Sequence, residues 1–324
     1  MKKVIEEAIE AISNFSAGVY ILTISLLTYY IIFTLKGIEG YITPIPIDYL
    51  TIFIVLMPFS IPIHVNSDQL ALFLISLYTI FAFIDITRKV KNKRPLGRMM
   101  LLASMIFVIS VAIEYLQSHV GVETGNPETE DEYIYFLSAM LAPLTEEIGF
   151  RLTVIGLTSL ILYLFINKSR CNLKDGLKAF LHPASIFSDD QENMRILYWM
   201  VILTSLLFGI AHILAGGWQI GKISLAVIAG LFLGYVFIEY GFTTSVLGHA
   251  YFNVYLLALY YFYTLGENGK LGMMSQYASI VGIVIYVGFS MVLGIIATIY
   301  YLYQYIDRRY LSKDVLLGEN LNEI

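Results

Sequence analysis

Long apolar stretches recur along the whole chain, and they constrain its fold more than any other feature. An α-helix needs about 20 mostly apolar residues to cross the ~30 Å hydrocarbon layer of a bilayer. Stretches of this length follow one another between charged clusters, and 58% of the 324 residues are hydrophobic while only 14% are charged. Soluble domains of this size contain fewer hydrophobic and more charged residues. The sequence therefore predicts a polytopic integral membrane protein of the all-α class.

The charged clusters divide the chain into about eight predicted transmembrane helices. These lie near residues 16–35, 70–86, 99–117, 134–166, 196–213, 223–240, 245–264 and 279–303. The apolar stretch 50–63 is shorter and contains Pro58 and Pro62, so we expect it to be interfacial or re-entrant. The glutamate-rich first fifteen residues predict an interfacial helix and not a signal peptide. With no repeat or linker evident, residues 1–324 are expected to form one membrane domain.

The charges of the short loops predict the orientation, because Lys and Arg resist translocation across a membrane. The segment 168–195 is basic and is expected to include an amphipathic helix on the membrane, whereas the loop before the fourth predicted span is acidic. Alternation of the spans then places both termini in the cytoplasm. The loop after the second span is the most basic one, with Arg88, Lys89, Lys91, Lys93, Arg94 and Arg98.

Three ionisable residues stand close together in the fourth predicted span. The stretch 143–151, Pro-Leu-Thr-Glu-Glu-Ile-Gly-Phe-Arg, contains Glu146, Glu147 and Arg151. Each such residue costs roughly 2.5–3.5 kcal/mol to insert, so a compensating role is required. Glu147 and Arg151 are four apart on one helical face, whereas Glu146 points about 100° away. The pattern predicts one ion pair and one available carboxylate; the alternative is a purely structural ion pair at a helix break made by Pro143.

Two intramembrane histidines complete the candidate site. The fifth predicted span ends in Phe208-Gly-Ile-Ala-His212, and the seventh begins with His249-Ala-Tyr-Phe-Asn253. Because side chains four apart share a helical face, His249 and Asn253 can donate two hydrogen bonds to one ligand oxygen. This is the geometry of an oxyanion hole. For either residue alone, hydrogen bonding between helices is the alternative. Together the five ionisable residues predict a polar cavity inside the membrane.

Taken in order, these motifs resemble the signature of a known family. Glu-Glu-x-x-x-Arg at 146–151, Phe-x-x-x-His at 208–212 and His-x-x-x-Asn at 249–253 are similar to that of the CAAX protease and bacteriocin-processing family. The family is also called CPBP or ABI, and its best-known branch is the type 2 CAAX prenyl endopeptidase. The family-like catalytic core covers about 134–265.

The resemblance implies an intramembrane endopeptidase that cleaves near the C-terminus of a prenylated CAAX-type peptide or of another lipid-modified or membrane-inserted peptide. Glu146 is then the general base that activates a water, and His212 helps to hold that water. The other site residues orient these groups or stabilise the oxyanion: Glu147 and Arg151 in the first role, His249 and Asn253 in the second.

Neither a cofactor nor a nucleic acid partner is expected. Two His and one Glu are a plausible zinc set, but the His-Glu-x-x-His motif of zinc proteases is absent. The single cysteine, Cys171, and the lack of a Gly-x-Ser-x-Gly elbow disfavour a covalent mechanism. The net charge of −5, without basic clusters interleaved with aromatics, argues against nucleic acid. The remaining alternatives are a non-catalytic bacteriocin-immunity or scaffold member of the same family and an ion-coupled transporter.

Simple alternation creates one difficulty for this site. It places His212 late in its span and His249 early in another, hence toward opposite membrane faces. A common site then requires a short, tilted sixth span or helix ends that dip inward around a water-filled cavity. Within that sixth span, Gly230 and Gly234 predict close packing against a neighbouring helix.

Overall fold

The structure, a computed structural model, describes residues 2–37, 45–90, 93–125, 132–167, 171–214, 217–267 and 273–307. The helices are α1 Lys2–Gly37, α2 Ser67–Thr87, α3 Pro95–His119, α4 Glu132–Glu146, α5 Leu157–Ile166, α6 Leu173–Leu181, α7 Ala184–Phe187, α8 Gln191–Leu214, α9 Lys222–Tyr240, α10 Phe242–Glu267 and α11 Met273–Ile306. A π-helical segment, Glu147–Gly156, joins α4 to α5. The expected all-α membrane class is confirmed, with one β-hairpin of strands β1 Pro46–Ile54 and β2 Met57–Asn66.

Six helical stretches of the described residues are long and apolar enough to cross a membrane. They are Ser67–Thr87, Pro95–His119, Tyr133–Ile166, Gln191–Leu214, Lys222–Tyr240 and Ser279–Ile306. Each corresponds to one predicted span. The other two predicted spans, 16–35 and 245–264, lie within α1 and α10, both of which include residues whose side chains fall outside the described part. A total of eight therefore stays a prediction.

The stretch 50–63 forms most of a hairpin, which the sequence analysis did not predict. β1 and β2 pair antiparallel, with Tyr49 opposite Pro62 and Phe53 opposite Pro58. Prolines four residues apart disfavour a helix, whereas the four Ile and two Phe residues suit an extended chain. β2 has one unpaired edge in this two-stranded sheet, and edge strands are where proline is tolerated. The tip residue Val55 packs against the cluster of Phe150, Phe208 and Ala226 below the candidate site.

The N-terminal segment is helical, as expected, and is continuous with the first predicted span; its position at the membrane interface stays a prediction. Residues 2–37 form one helix, and no proline interrupts it. Its first half packs into the bundle: Ser13, Ser16 and Ala17 are buried. Glu10 accepts a hydrogen bond from Arg98 of α3 at 2.9 Å, which ties the N-terminus to the start of that helix.

The largest buried apolar cluster lies among α2, α3, α4, α9 and α10. α11 packs on α3 and α10 at its outer side. As predicted, Gly230 and Gly234 let α9 approach α8 closely: a Cβ at Gly230 would lie 3.0 Å from the Ser205 Cα, and one at Gly234 would lie 2.7 Å from Val201 Cγ1. These two contacts therefore leave little room for α9 to shift along α8.

A buried polar network fixes the beginning of α10. Gly241 joins α9 to α10 with φ of +93°, a conformation that favours glycine. The Asp85 carboxylate at the end of α2 is fully buried and accepts hydrogen bonds from Thr243 at 2.9 Å and Thr244 at 2.6 Å. Arg88 donates to Asp85 and to the Tyr240 carbonyl oxygen. The start of the helix that carries the second histidine motif is thus held from α2.

The basic segment 168–195 contains the predicted amphipathic helix as α6. Its buried side packs on α5, where Ser159 Oγ donates to the Ala179 carbonyl oxygen at 2.6 Å. Leu173, Leu177 and Leu181 form an exposed apolar stripe on the other side. Its position on a membrane surface stays a prediction.

Candidate active site

The Glu-Glu-x-x-x-Arg motif lies where α4 changes into the π-helical segment. α4 continues through Pro143, so the helix break that the alternative of a purely structural ion pair assumed there does not occur. The change comes at Glu147, and Thr153 Oγ1 donates to the Ile148 carbonyl oxygen five residues back at 2.7 Å. A π-turn widens a helix and rotates the following side chains, and such turns are frequent at functional sites. Here the π segment begins between the two glutamates.

The Glu147 carboxylate lies at the centre of the buried polar cluster. It is fully buried. Oε1 accepts a hydrogen bond from His249 Nδ1 at 2.9 Å and lies 3.3 Å from Arg151 Nη1, so the predicted ion pair is present. Ser245 Oγ donates to Oε2 and also lies 3.0 Å from the Leu233 carbonyl oxygen. Three groups from the π segment and α10 therefore hold this one carboxylate.

The Arg151 guanidinium closes the cluster on the other side. It is fully buried, with Cζ 4.4 Å from the ring centre of Phe208 and 5.8 Å from that of Phe150. Nη2 donates to the Gly230 carbonyl oxygen of α9 at 3.5 Å. The aromatic faces and the carbonyl supply negative charge density to this buried cation. Arg151 thus balances the Glu147 charge.

His249 lies between the two glutamates. With Nδ1–H donated to Glu147, the neutral ring presents an unprotonated Nε2 toward the cavity. The Asn253 Nδ2 lies 3.1 Å from Nε2 and donates to it in this tautomer. The Glu146 Oε2 lies 3.6 Å from the same nitrogen. The site thus brings together the predicted residues Glu146, Glu147, His249 and Asn253.

The Glu146 carboxylate differs from that of its neighbour in both exposure and partners. Its side chain is 27% exposed, compared with 0% for Glu147. Among the described residues, Glu146 Oε2 has no hydrogen-bond partner although the atom is buried. As predicted, Glu147 is neutralised by a cation, and the availability of Glu146 for chemistry stays a prediction.

His212 joins the site through Phe208. Its Nδ1 donates to the Phe208 carbonyl oxygen at 2.8 Å, which leaves Nε2 as the acceptor. The Phe208 ring contacts both imidazoles, with centroids 4.6 Å from that of His212 and 6.0 Å from that of His249. α10 begins directly after the turn at Gly241, so His249 lies two helical turns from its start. At that depth it stands beside the middle of α9. A shared cavity therefore resolves the predicted difficulty.

This cavity has a volume of about 690 Å³. That is within the usual range of roughly 300–1,000 Å³ for ligand sites. Its polar groups include Glu146, His212, His249, Asn253 and Lys222. The remaining lining is largely apolar and comes mainly from α3, α4, α9 and α10: Ile106, Ala139, Ala142, Leu225, Ala226, Ala229, Leu233, Phe252 and Leu257. A reacting polar group and an apolar chain therefore fit in one space.

Two residues of the site were missed by the sequence analysis. Ser245 stands four positions before His249, on the face that carries His249 and Asn253, so its spacing could have identified it. Lys222 begins α9 and lines the cavity. Its signal is weaker, because a lysine at a span end usually indicates an interfacial side chain.

Three further titratable residues, Asp85, His182 and Glu239, lie apart from the cavity. Asp85 belongs to the network at the start of α10, and His182 contacts the Glu239 carbonyl oxygen at 2.8 Å. The Glu239 carboxylate accepts a hydrogen bond from the Tyr198 hydroxyl at Oε1, so a side chain outside the cavity holds it. Within the described ranges, no group of three or more His, Cys, Asp or Glu side chains is placed to bind a metal ion.

Replacement of Arg151 by Met should destabilise the protein strongly, because it leaves the Glu147 charge buried without its cation. Breaking a buried pair from one side typically costs about 3–5 kcal/mol. We expect a large fall in the unfolding midpoint in detergent. The double variant Glu147→Gln/Arg151→Met should regain most of it, and Arg195→Met, an exposed control, should change little. An Arg151→Met variant as stable as the wild type would contradict this account.

Comparison with known proteins supports the resemblance of the motifs. Residues 130–255 match the model of the family described as type II CAAX prenyl endopeptidase Rce1-like. The matched range contains the π segment, both histidines and Asn253. No curated protein and no solved structure matches the chain. Residues 130–255 therefore belong to the Rce1-like family, a family of membrane endopeptidases, within a multi-pass membrane protein.

Proposed function

We propose that this protein is a glutamate-dependent, metal-independent intramembrane endopeptidase. Its substrates are prenylated CAAX-type peptides or other membrane-associated peptides, cleaved in their C-terminal region. The observation that carries the proposal is the pair of glutamates, of which Glu147 is neutralised by Arg151 and Glu146 faces the cavity with a free oxygen. Family membership of residues 130–255 supports the same reaction class.

Glu146 acts as the general base in the proposed reaction. A water held between its carboxylate and the Nε2 atoms of the two histidines gives a proton to Glu146, and its oxygen bonds to the substrate carbonyl carbon. The tetrahedral intermediate then expels the amine as the C–N bond breaks, and protonated Glu146 returns the proton to the leaving nitrogen. No covalent bond to the enzyme forms.

His249 and Asn253 are assigned to the oxyanion. With a neutral His249, the Asn253 amide donates to Nε2 and neither group is directed at a substrate. His249 takes a second proton from the water of the cavity before the attack and keeps it through the reaction, which makes Nε2 a donor, and rotation of the Asn253 side chain frees its N–H groups. Both then point at the developing negative charge. The buried Glu147 carboxylate at Nδ1 stabilises the charged imidazole at that moment, as the orienting carboxylate does in a catalytic triad.

Arg151 and Ser245 are positioning residues in this scheme. Arg151 prevents Glu147 from taking the proton that the reaction requires, and Ser245 fixes the second Glu147 oxygen against α9. Together they set the ring plane of His249. Neither side chain contacts the substrate. Removal of either one should therefore disturb only the orientation of the His249 imidazole.

The proposal includes the orientation with both termini in the cytoplasm. The basic loop before α3 lies at the end of α9 opposite Lys222, since Arg88 contacts the Tyr240 carbonyl oxygen. The cavity extends from Glu146 toward the other end, where Trp218 and Lys222 line it. A lipid tail in the cytoplasmic leaflet then reaches the site laterally between helices, whereas the end of the cavity near Lys222 faces the opposite side.

Replacement of Glu146 by Gln should abolish cleavage while the protein stays folded, because Glu146 Oε2 makes no hydrogen bond within the described structure. We expect kcat to fall at least about 100-fold for a farnesylated CAAX-type peptide, the usual contribution of a general base or more. Thermal unfolding should be unchanged. The matched control is Glu192→Gln, an exposed carboxylate at the start of α8. Full cleavage by Glu146→Gln would remove Glu146 from the mechanism, and retained cellular function without cleavage would favour a non-catalytic family member.

Metal chelation should leave cleavage unaffected. Both nitrogens of His249 have protein partners, Glu147 at Nδ1 and Asn253 at Nε2. The purified protein is incubated with EDTA or 1,10-phenanthroline, desalted and assayed for kcat with the same peptide. Activity that disappears and returns on addition of Zn²⁺ would replace the glutamate-only mechanism by a metal-dependent one.

The natural cysteine reports the orientation of the protein. Cys171 is exposed at the start of the basic segment that packs near the α9–α10 turn. In intact cells we expect a membrane-impermeant maleimide to label Cys171 only after permeabilisation. In a Cys171→Ser background, the control substitution Gln219→Cys places a thiol at the opposite end, where it should be labelled without permeabilisation. The reverse pattern would invert the orientation and place the cavity end near Lys222 in the cytoplasm.

A further inference from the structure

A lysine lines the same cavity as the catalytic groups, and the proposed hydrolysis does not use it. Lys222 is the first residue of α9, and its side chain shares the cavity wall with Glu146 and His212. Its Nζ lies 3.8 Å from the ring centre of Trp218, a cation–π distance. In the part of the chain that the structure describes, no carboxylate lies within 4.0 Å of this ammonium. The Lys222 ammonium is thus stabilised by an aromatic face and not by an ion pair.

The backbone that carries Lys222 is firmly held. Gly221 N donates to the Glu123 carbonyl oxygen at 3.0 Å, and Gln219 N donates to that of Thr124 at 2.9 Å. The Gln117 side chain donates to the Gly221 carbonyl oxygen at 3.2 Å. A Cβ at Gly221 would lie 2.6 Å from the Glu123 carbonyl oxygen, so only glycine permits this close approach. The lysine therefore occupies a defined position at one end of the cavity.

The other cation of the site is not available to a ligand. Arg151 is fully buried behind the cavity wall and paired with Glu147. Among the described residues, the carboxylates that act on Lys222 electrostatically are Glu146 and Glu114, and neither forms an ion pair with it. Among the described residues that line this largely apolar cavity, Lys222 is therefore the one lysine or arginine that an entering anion meets.

We propose that Lys222, supported by Trp218, binds the free C-terminal carboxylate of the peptide substrate. This inference rests on the proposed function. A carboxylate loses its hydration in an apolar cavity and requires a cation there. The scissile carbonyl lies at the Glu146 and His249 end, and the carboxylate lies at the Lys222 end. The enzyme thus selects peptides that end within the cavity and cleaves them a fixed, short distance from their terminus.

The test compares a farnesylated CAAX-type tetrapeptide with a free C-terminal acid and the same peptide with a C-terminal amide. Reactions are run in nanodiscs of neutral phosphatidylcholine, so that no anionic lipid competes for the lysine. We expect kcat/KM of the wild type to favour the acid by about tenfold or more, mainly through KM. Lys222→Met should bring the two peptides to the same kcat/KM. Lys222→Arg should keep the preference for the acid, and so should the control Lys178→Met, an exposed lysine of α6.

Binding separates this inference from the proposed function. Glu146→Gln is titrated with fluorescent acid and amide peptides, with and without the additional Lys222→Met substitution. Tighter binding of the acid that disappears with Lys222→Met supports the carboxylate site, even if the wild type cleaves neither peptide. Equal binding and equal cleavage of acid and amide by the wild type would overturn the carboxylate site and leave the endopeptidase function intact. A preference for the acid that persists in Lys222→Met would also overturn it.

Discussion

The buried charge of Glu147 is the constraint on which the rest of the site depends. A carboxylate in the middle of a helical bundle is tolerated only where cations and hydrogen-bond donors replace its water. Arg151, His249 and Ser245 do so from the π segment and from α10. Because all three side chains must reach the same carboxylate, the rotation of α10 relative to α4 is fixed. The network of Asp85 at the start of α10 fixes the same helix from its other side.

Once Glu147 is satisfied, the properties of its neighbours follow. Glu146 is adjacent in sequence but points away from the cation, so it keeps a free oxygen at the cavity. His249 donates to Glu147 through Nδ1 and must then present its other nitrogen to Glu146 and Asn253. The two successive glutamates, Glu146 and Glu147, thus have different roles. The difference comes from the rotation of successive side chains around a helix, which helix geometry alone imposes.

Local spacing made part of this site predictable from the sequence. The intervals Glu147 to Arg151 and His249 to Asn253 lie within single helical elements, and the structure has both contacts. Contacts between elements had no such signal: the hydrogen bond from Ser245 to Glu147 depends on packing. The π segment and the hairpin were missed as well. A π-turn keeps the apolar pattern of a helix, and an apolar run with two prolines leaves several structures open.

Hydropathy also placed His212 and His249 toward opposite membrane faces, whereas the structure places both at one cavity. A site in hydrocarbon needs a path for water, and polar side chains along one cavity wall provide it without exposing backbone to lipid. His212 lies near the end of α8 and His249 near the middle of α10, with Phe208 in contact with both. Both line one cavity with Lys222 and Glu146, although they stand at different depths in their helices. A linear chain of spans cannot encode that depth, because it arises from how far each helix is offset from its neighbours.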